Sequence, residues 1–281
     1  MNHIHAKEIT DALELELGLE PAEGLAVRLV GLHETHYGDG WGDDPAKGAG
    51  SNNWGANTTT STDPASTFEH ADSRFDPATG QVVKYSTHFP RYATPALGAR
   101  GLALVLLFNN SDPKKGRREN VQAATRNRSV VELATAMRLN RYYLGTKPLA
   151  QSIDDYTRAL QTAWAAIKAD THETLYDVPL VDSPTASGEA SGYSPVSSSS
   201  HSARPFLAAL SQSLPVLRRS NRGDLVGVLQ FELGLSPDEI FGQKTEQAVR
   251  AFQSTHGLEV SGVVSSSMWA LLFGSESSDV G

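Results

Sequence analysis

One glutamate stands where an apolar helical stretch gives way to a loop of glycines and aromatic residues. The segment is LVGLHETHYGDGWG, residues 29–42, and the glutamate is Glu34. Glu34 shares a helical stripe with Val27 and Val30, so we expect its carboxyl group to be partly buried near the C-terminal end of a helix. Burial and the helix dipole both disfavour the charged form, and burial should be the larger effect. A carboxylic acid with a raised pKa can donate a proton near neutral pH.

A second carboxylate would be needed if that proton served to break a glycosidic bond. It would stabilise the positive charge that develops on the sugar or would activate a water molecule. Glu69 is the first choice because of its place in a predicted hairpin, and Asp72 is a rival. Asp76 is a further rival, but it begins the turn signal DPATG, where a turn role is expected. The separation of the two carboxyl groups would decide between inversion and retention, and the sequence leaves this open.

Aromatic and amide side chains near these carboxylates are predicted to bind the substrate. Aromatic rings can cover the acid and stack on the faces of sugar rings, and we expect this of Tyr37, Trp41 and Trp54. The predicted substrate-binding residues are Asn53, Trp54, Tyr92, Tyr142 and Tyr143.

The same segment also permits a metal site, which we retain as a minor alternative. Zinc peptidases use His-Glu-x-x-His, whereas His33 and His36 are three residues apart. His70 and Asp72 form a second His-x-Asp pair, yet no third ligand in a recognised context accompanies either pair. A zinc amidase or peptidase is therefore the less favoured reading, and no metal or cofactor is predicted.

The elements that position these residues are predicted to be mainly helical, with one small β-hairpin wing. Apolar periodicity and boundary residues predict one helix ending at Gly18, a second beginning at Pro21, and three more over 95–108, 129–143 and 152–169. Thr-, Val- and aromatic-rich segments on either side of the DPATG turn predict the hairpin. A groove can form between such a wing and a helical body.

The chain of 281 residues divides into two predicted domains. Residues 181–204 are dominated by Ser, Gly, Pro and Ala and lose apolar periodicity, which predicts a flexible linker. We therefore expect a catalytic domain over 1–180 and a compact tail over 205–281. The tail is predicted to form three short helices.

Composition narrows the possible partners and compartments. The formal net charge is −8 with a pI of about 5.6, which argues against nucleic acid as a partner, and the basic cluster at 114–118 is interpreted as a solvated loop. Cysteine is absent, and no apolar run approaches the ~20 residues needed to cross a bilayer, so no membrane is predicted as a partner. Residues 1–18 lack the basic-then-apolar order of a signal peptide. Delivery by lysis or in a particle is therefore expected.

The tail carries a run of recognisable segments. They are VLQ (228–230), FGQKT (241–245), AVRAFQ (248–253), GL (257–258), SGVV (261–264) and Trp269. On these residues the tail resembles the peptidoglycan-binding domain type 1, a small three-helix module. The resemblance implies wall binding through exposed polar residues, for which we name Gln230, Arg250 and Gln253. The family usually has glycine after the turn aspartate, whereas this chain has Glu239 after Asp238, which could alter the turn and the ligand groove.

The N-terminal part also resembles a known family. Its segments are HETHYGDGWG (33–42), SNNWGAN (51–57) and STFEHADSRFDPATGQVVKYSTHFPRYAT (66–94). In order and spacing they resemble the glucosaminidase branch of the lysozyme-like superfamily, found in flagellar and phage cell-wall hydrolases. The resemblance implies a glycan-cleaving enzyme, an N-acetylglucosaminidase or an N-acetylmuramidase, with Glu34 as its general acid.

The expectation for the whole chain is thus a mainly α protein: a lysozyme-like helical domain with a β wing, followed by a peptidoglycan-binding domain. Bacterial peptidoglycan is the predicted partner, as for a lysin from a phage or an injection system. The alternative is a non-catalytic wall-binding part of a virion or contractile injection system. Loss of wall-degrading activity on Glu34→Gln would separate the two.

Overall fold

The structure is a computed structural model that describes residues 1–174 and 204–273. The predicted linker therefore lies outside the described residues, apart from Arg204. The described part is mainly helical with one two-stranded antiparallel sheet, as the sequence predicted. Its elements are α1 (His3–Leu17), α2 (Pro21–Thr35), β1 (Thr67–Asp76), β2 (Gln81–Pro90), α3 (Pro95–Leu107), α4 (Glu119–Arg126), α5 (Val130–Leu139), α6 (Leu149–Thr171), α7 (Arg204–Ser213), α8 (Asp224–Glu232), α9 (Gln243–Thr255) and α10 (Ser266–Leu272).

Helix α2 is the central element of the N-terminal part. Pro21 opens it, and Glu20 and Glu23 form a capping box that satisfies free backbone N–H groups of the first turn. The helix is buried along most of its length and packs against α1, α3 and α6. It ends because His36 adopts a left-handed conformation, with φ of 49°. Glu34 therefore lies in the last turn of α2, as predicted.

The hairpin of β1 and β2 forms a wing beside the helices. Its turn occupies the predicted DPATG segment, where the Asp76 carboxylate accepts hydrogen bonds from the Ala78 N–H and the Thr79 hydroxyl. The register pairs Glu69 with His88 and Asp72 with Tyr85. Phe68 and Phe89 are buried at the base, where the wing joins the body.

Most predicted helices are present, with differences at their ends. The predicted helix over 129–143 is α5, which begins after Ser129 but ends at Leu139, because Arg141 adopts a left-handed conformation with φ of 57°. Helix α4 was missed because its sequence, ENVQAATR, has one large apolar residue, Val121, which is buried.

The tail contains four helices in its described residues rather than the three predicted. The additional helix is α7, which buries Leu207 and packs against α10. The Ser-rich composition just before it hid its start in the sequence. Leu229 and Trp269 are buried, as expected of core residues.

Within residues 1–174 and 204–273, no helix is both long and apolar enough to cross a membrane.

Candidate functional site

A cleft of about 540 Å³ lies between the hairpin and the helical body. Glu34 reaches it from α2 and Asp72 from β1. Tyr142 and Tyr143 reach it from the loop after α5, and Trp41 from the loop after α2. The groove predicted between the wing and the body is therefore present, and it brings two carboxylates together with an aromatic wall.

Glu34 is an acid with a raised pKa. Burial is the main cause and raises the pKa of its carboxyl group from 4.5 to about 7. The hydroxyl of Tyr156, on α6, donates a hydrogen bond to Oε1 of Glu34, which lowers the pKa, and the negative charge of Asp72 raises it. Burial prevails, so the carboxyl group of Glu34 keeps its proton to a higher pH than an exposed glutamate does.

Tyr156 is itself held firmly in place. Its ring stacks on that of Tyr143, with centroids 4.0 Å apart and planes within 9° of parallel. The ring of His33 meets its edge at 4.7 Å. These contacts fix the position of the hydroxyl that orients the Glu34 carboxyl group. Sequence reasoning missed Tyr156, because it lies 122 residues from Glu34.

The second carboxylate in the cleft is Asp72 rather than Glu69. Glu69 is exposed and is not part of the cleft lining, which takes from β1 the residues 70–73. The Tyr85 hydroxyl donates to Oδ2 of Asp72 at 2.7 Å, and the backbone N–H of Ser73 donates to Oδ1 at 2.7 Å. These bonds orient the carboxylate.

The predicted aromatic contacts divide into cleft residues and core residues. The hydroxyl of Tyr142 donates to the Gly55 carbonyl at 2.5 Å, and that of Tyr143 donates to the Ala134 carbonyl at 3.1 Å. Both residues line the cleft. Trp41 also lines it, with its indole N–H donating to the Asn53 carbonyl at 3.2 Å.

Trp54 and Tyr37, in contrast, are core residues that cannot stack on a sugar. Trp54 is 0 % exposed, and its ring packs on Tyr37 with centroids 4.9 Å apart. A Cβ at Gly31 of α2 would lie only 2.9 Å from the Trp54 ring. The tryptophan thus fastens its loop against α2, and the expectation that it contacts substrate is wrong.

Asn53 and Tyr92 also lie away from the cleft lining. Asn53 is fully buried, where its amide N–H donates to the Asn57 carbonyl and its oxygen accepts from the Asn57 N–H. The Tyr92 ring lies against Gly101 of α3, at a separate surface depression. The SNNWGAN segment is therefore mainly a packing motif.

Asn57, from the same segment, does line the cleft and was not singled out by the sequence. Its side chain is 7 % exposed. The Tyr92 hydroxyl is in its vicinity, but within the described residues neither amide atom makes a hydrogen bond of normal geometry. A buried amide without such bonds is suited to a ligand that offers both a donor and an acceptor.

Two of the three predicted wall-binding residues have structural roles. Gln230 is buried, and its amide group donates to Asp238 and Thr245 while its oxygen accepts from the Glu239 N–H. Gln253 is likewise buried, bonded to the backbone of the turn before α10. The expectation that both are exposed is wrong, because each satisfies the backbone of a turn.

Arg250 remains at the surface of the module. Its guanidinium donates to the Glu246 carboxylate at 3.1 Å and to the Val260 carbonyl at 2.9 Å. It is therefore the one residue of the predicted set whose side chain is exposed.

The histidine pairs do not assemble a metal site in the part of the chain that the structure describes. Among residues 1–174 and 204–273, no group of three or more His, Asp or Glu side chains is arranged to hold a metal ion. His33 packs on Tyr156, and burial lowers its pKa.

Comparison with known proteins identifies the C-terminal module. Residues 227–272 match the family described as putative peptidoglycan binding domain. No curated protein and no solved structure is significantly similar to the chain. The comparisons lend no support to the lysozyme-like assignment of the N-terminal part. The chain thus carries a peptidoglycan-binding domain over residues 227–272, which associates it with the cell wall.

Proposed function

We propose that the N-terminal part is a glycosidase that cleaves the glycan backbone of peptidoglycan, with Glu34 as general acid. The observation that carries the proposal is the Glu34 carboxyl group in the cleft, with a pKa raised to about 7 beside a second carboxylate. Titratable groups with strongly shifted pKa values cluster at catalytic sites. The attached peptidoglycan-binding domain indicates the polymer on which such a site would act.

The two carboxyl groups have environments that suit different roles. Glu34, partly buried and with a raised pKa, would donate its proton to the glycosidic oxygen. Since Tyr156 donates to Oε1, the transferable proton belongs on Oε2. Asp72, oriented by its two hydrogen bonds, would stabilise the oxocarbenium-like transition state or activate water.

The cleft lining suits an N-acetylated sugar. Trp41, Tyr142 and Tyr143 offer aromatic surface for the faces of the rings. The Asn57 amide offers both a donor and an acceptor, which match the carbonyl and N–H of an acetamido group. Both sugars of peptidoglycan carry that group, so the lining is compatible with either an N-acetylglucosaminidase or an N-acetylmuramidase.

The experiment compares Glu34→Gln with Glu69→Gln as a matched control, because both changes remove one carboxylate and only Glu34 lies in the cleft. We expect clearing of purified cell walls to fall by at least about 10³-fold in the first variant and to stay near wild type in the second. Wall binding by pelleting should be unchanged in both. EDTA should leave activity intact. Wall clearing by Glu34→Gln at the wild-type rate would refute the proposal, and absence of clearing by the wild type would favour a non-catalytic wall-binding component.

A further inference from the structure

Four arginines of the N-terminal part face the peptidoglycan-binding domain. They are Arg74 on β1, Arg118 before α4, Arg138 on α5 and Arg141 after α5. Acidic and aromatic residues of the module meet them, namely Asp224, Phe231, Glu232 and Glu239. The two surfaces are therefore complementary in charge. These contacts are not confined to the rim of the interface, because one ion pair is buried inside it.

The central pair is Arg138 with Glu232. Their side chains are 1 % and 8 % exposed, and Nη2 of Arg138 donates to Oε1 of Glu232 at 2.5 Å. The Arg138 guanidinium also lies 5.4 Å from the centre of the Phe231 ring. An exposed ion pair contributes little, but removing one partner of a buried pair leaves a buried charge uncompensated. Arg138 and Glu232 thus tie the two domains together.

A second pair depends on an unusual backbone. The backbone of Glu239 has a left-handed conformation with φ of 62°, which residues other than glycine rarely adopt. From there its Oε1 accepts a hydrogen bond from Nη1 of Arg141 at 3.0 Å. Gly227 of α8 makes room for the pair, since a Cβ at this position would lie 3.0 Å from Arg141 Nη1 and 3.0 Å from Glu239 Cγ. A glycine at position 239 would relieve the backbone but could not reach Arg141.

The module contacts both walls of the cleft. On the hairpin side, Arg74 lies 5.9 Å from the centre of the Phe231 ring, and a Cβ at Gly234 would lie 2.6 Å from that of Ala78 in the turn. On the helical side the partners are Arg138 and Arg141, and Arg141 is also part of the cleft lining. The module therefore spans from the wing to α5 at one end of the cleft.

We propose that the peptidoglycan-binding domain docks in cis on the arginine face of the N-terminal part and holds the hairpin against α5, instead of moving freely on its linker. The inference rests on the contacts between the domains and does not depend on the proposed hydrolysis.

Small-angle X-ray scattering of the full chain tests the docking. A compact chain of this length has a radius of gyration of about 19 Å, whereas two separate domains joined by a flexible linker of about 30 residues give about 25 Å. We expect the wild type near the lower value and the Glu232→Gln/Glu239→Gly double variant near the higher one. Glu259→Gln, an exposed change elsewhere on the module, is the control and should match the wild type. Equal radii for the wild type and the double variant would overturn the proposal.

Spin labelling gives an independent measurement, because the chain has no cysteine of its own. We expect a nitroxide attached to Thr79→Cys, in the exposed turn of the hairpin, to broaden the amide NMR signal of Gly234 strongly and that of Glu259 little, and Glu232→Gln to abolish this difference. Equal broadening of the two signals in the chain without Glu232→Gln would overturn the proposal.

Discussion

Replacing Glu34 by glutamine should stabilise the protein at alkaline pH. The pKa of Glu34 is raised from 4.5 to about 7, a difference of about 2.5 units. Each unit corresponds to 1.36 kcal/mol, so the ionised carboxylate destabilises the folded state by about 3 kcal/mol above pH 7. Glutamine has nearly the same shape, carries no charge and can still accept the Tyr156 hydrogen bond.

The sign of the pH dependence follows from linkage. Between pH 4.5 and 7 the folded protein holds the Glu34 proton more tightly than the unfolded chain does, so the free energy of unfolding falls as pH rises through this window. The glutamine variant lacks this contribution. The two proteins should therefore differ by about 3 kcal/mol at pH 8, and the pH-dependent part of that difference should vanish below pH 4.5.

Urea unfolding followed by circular dichroism at pH 4 and pH 8 measures both differences. Glu69→Gln is the control, since it makes the same change at an exposed position outside the cleft. A difference between wild type and Glu34→Gln that is the same at pH 4 and pH 8 would refute the assignment of a raised pKa to Glu34.

The remaining predictions concern activity. Tyr156→Phe removes the hydrogen bond that lowers the pKa of Glu34, so the alkaline limb of the pH–rate profile for wall clearing should move to higher pH; an unmoved limb would contradict this. Asp72→Asn should lower the rate of wall clearing at least about 10²-fold, while Glu69→Gln should leave that rate near wild type. A larger loss in Glu69→Gln than in Asp72→Asn would identify Glu69 as the second catalytic carboxylate. Trp41→Ala should weaken substrate binding, seen as a higher KM for soluble glycan fragments with wall pelleting unchanged.

The position of Glu34 could be predicted because its determinants are local. Neighbouring residues determine both the boundaries of its helix, at Pro21 and His36, and the apolar stripe that includes Val27 and Val30. The choice between Glu69 and Asp72 could not be made in this way. Both carboxylates lie on β1, and which part of the strand meets the cleft depends on how the hairpin packs on the body.

Burial explains the other differences between expectation and structure. Trp54 and Gln230 have side chains that could bind sugar. Trp54 instead packs in the core, and Gln230 instead makes hydrogen bonds within a turn. Tyr156 completes the site from a helix remote in sequence, and no local pattern marks it. Contacts of this kind depend on the tertiary arrangement, which one sequence does not display.

The most direct test of the central claim is mass spectrometry of purified peptidoglycan after digestion. The account predicts that the wild type releases fragments with a new reducing end on N-acetylglucosamine or N-acetylmuramic acid, and that Glu34→Gln releases none while still binding the wall. Fragments cut at amide bonds, or the same new reducing ends from both proteins, would contradict it.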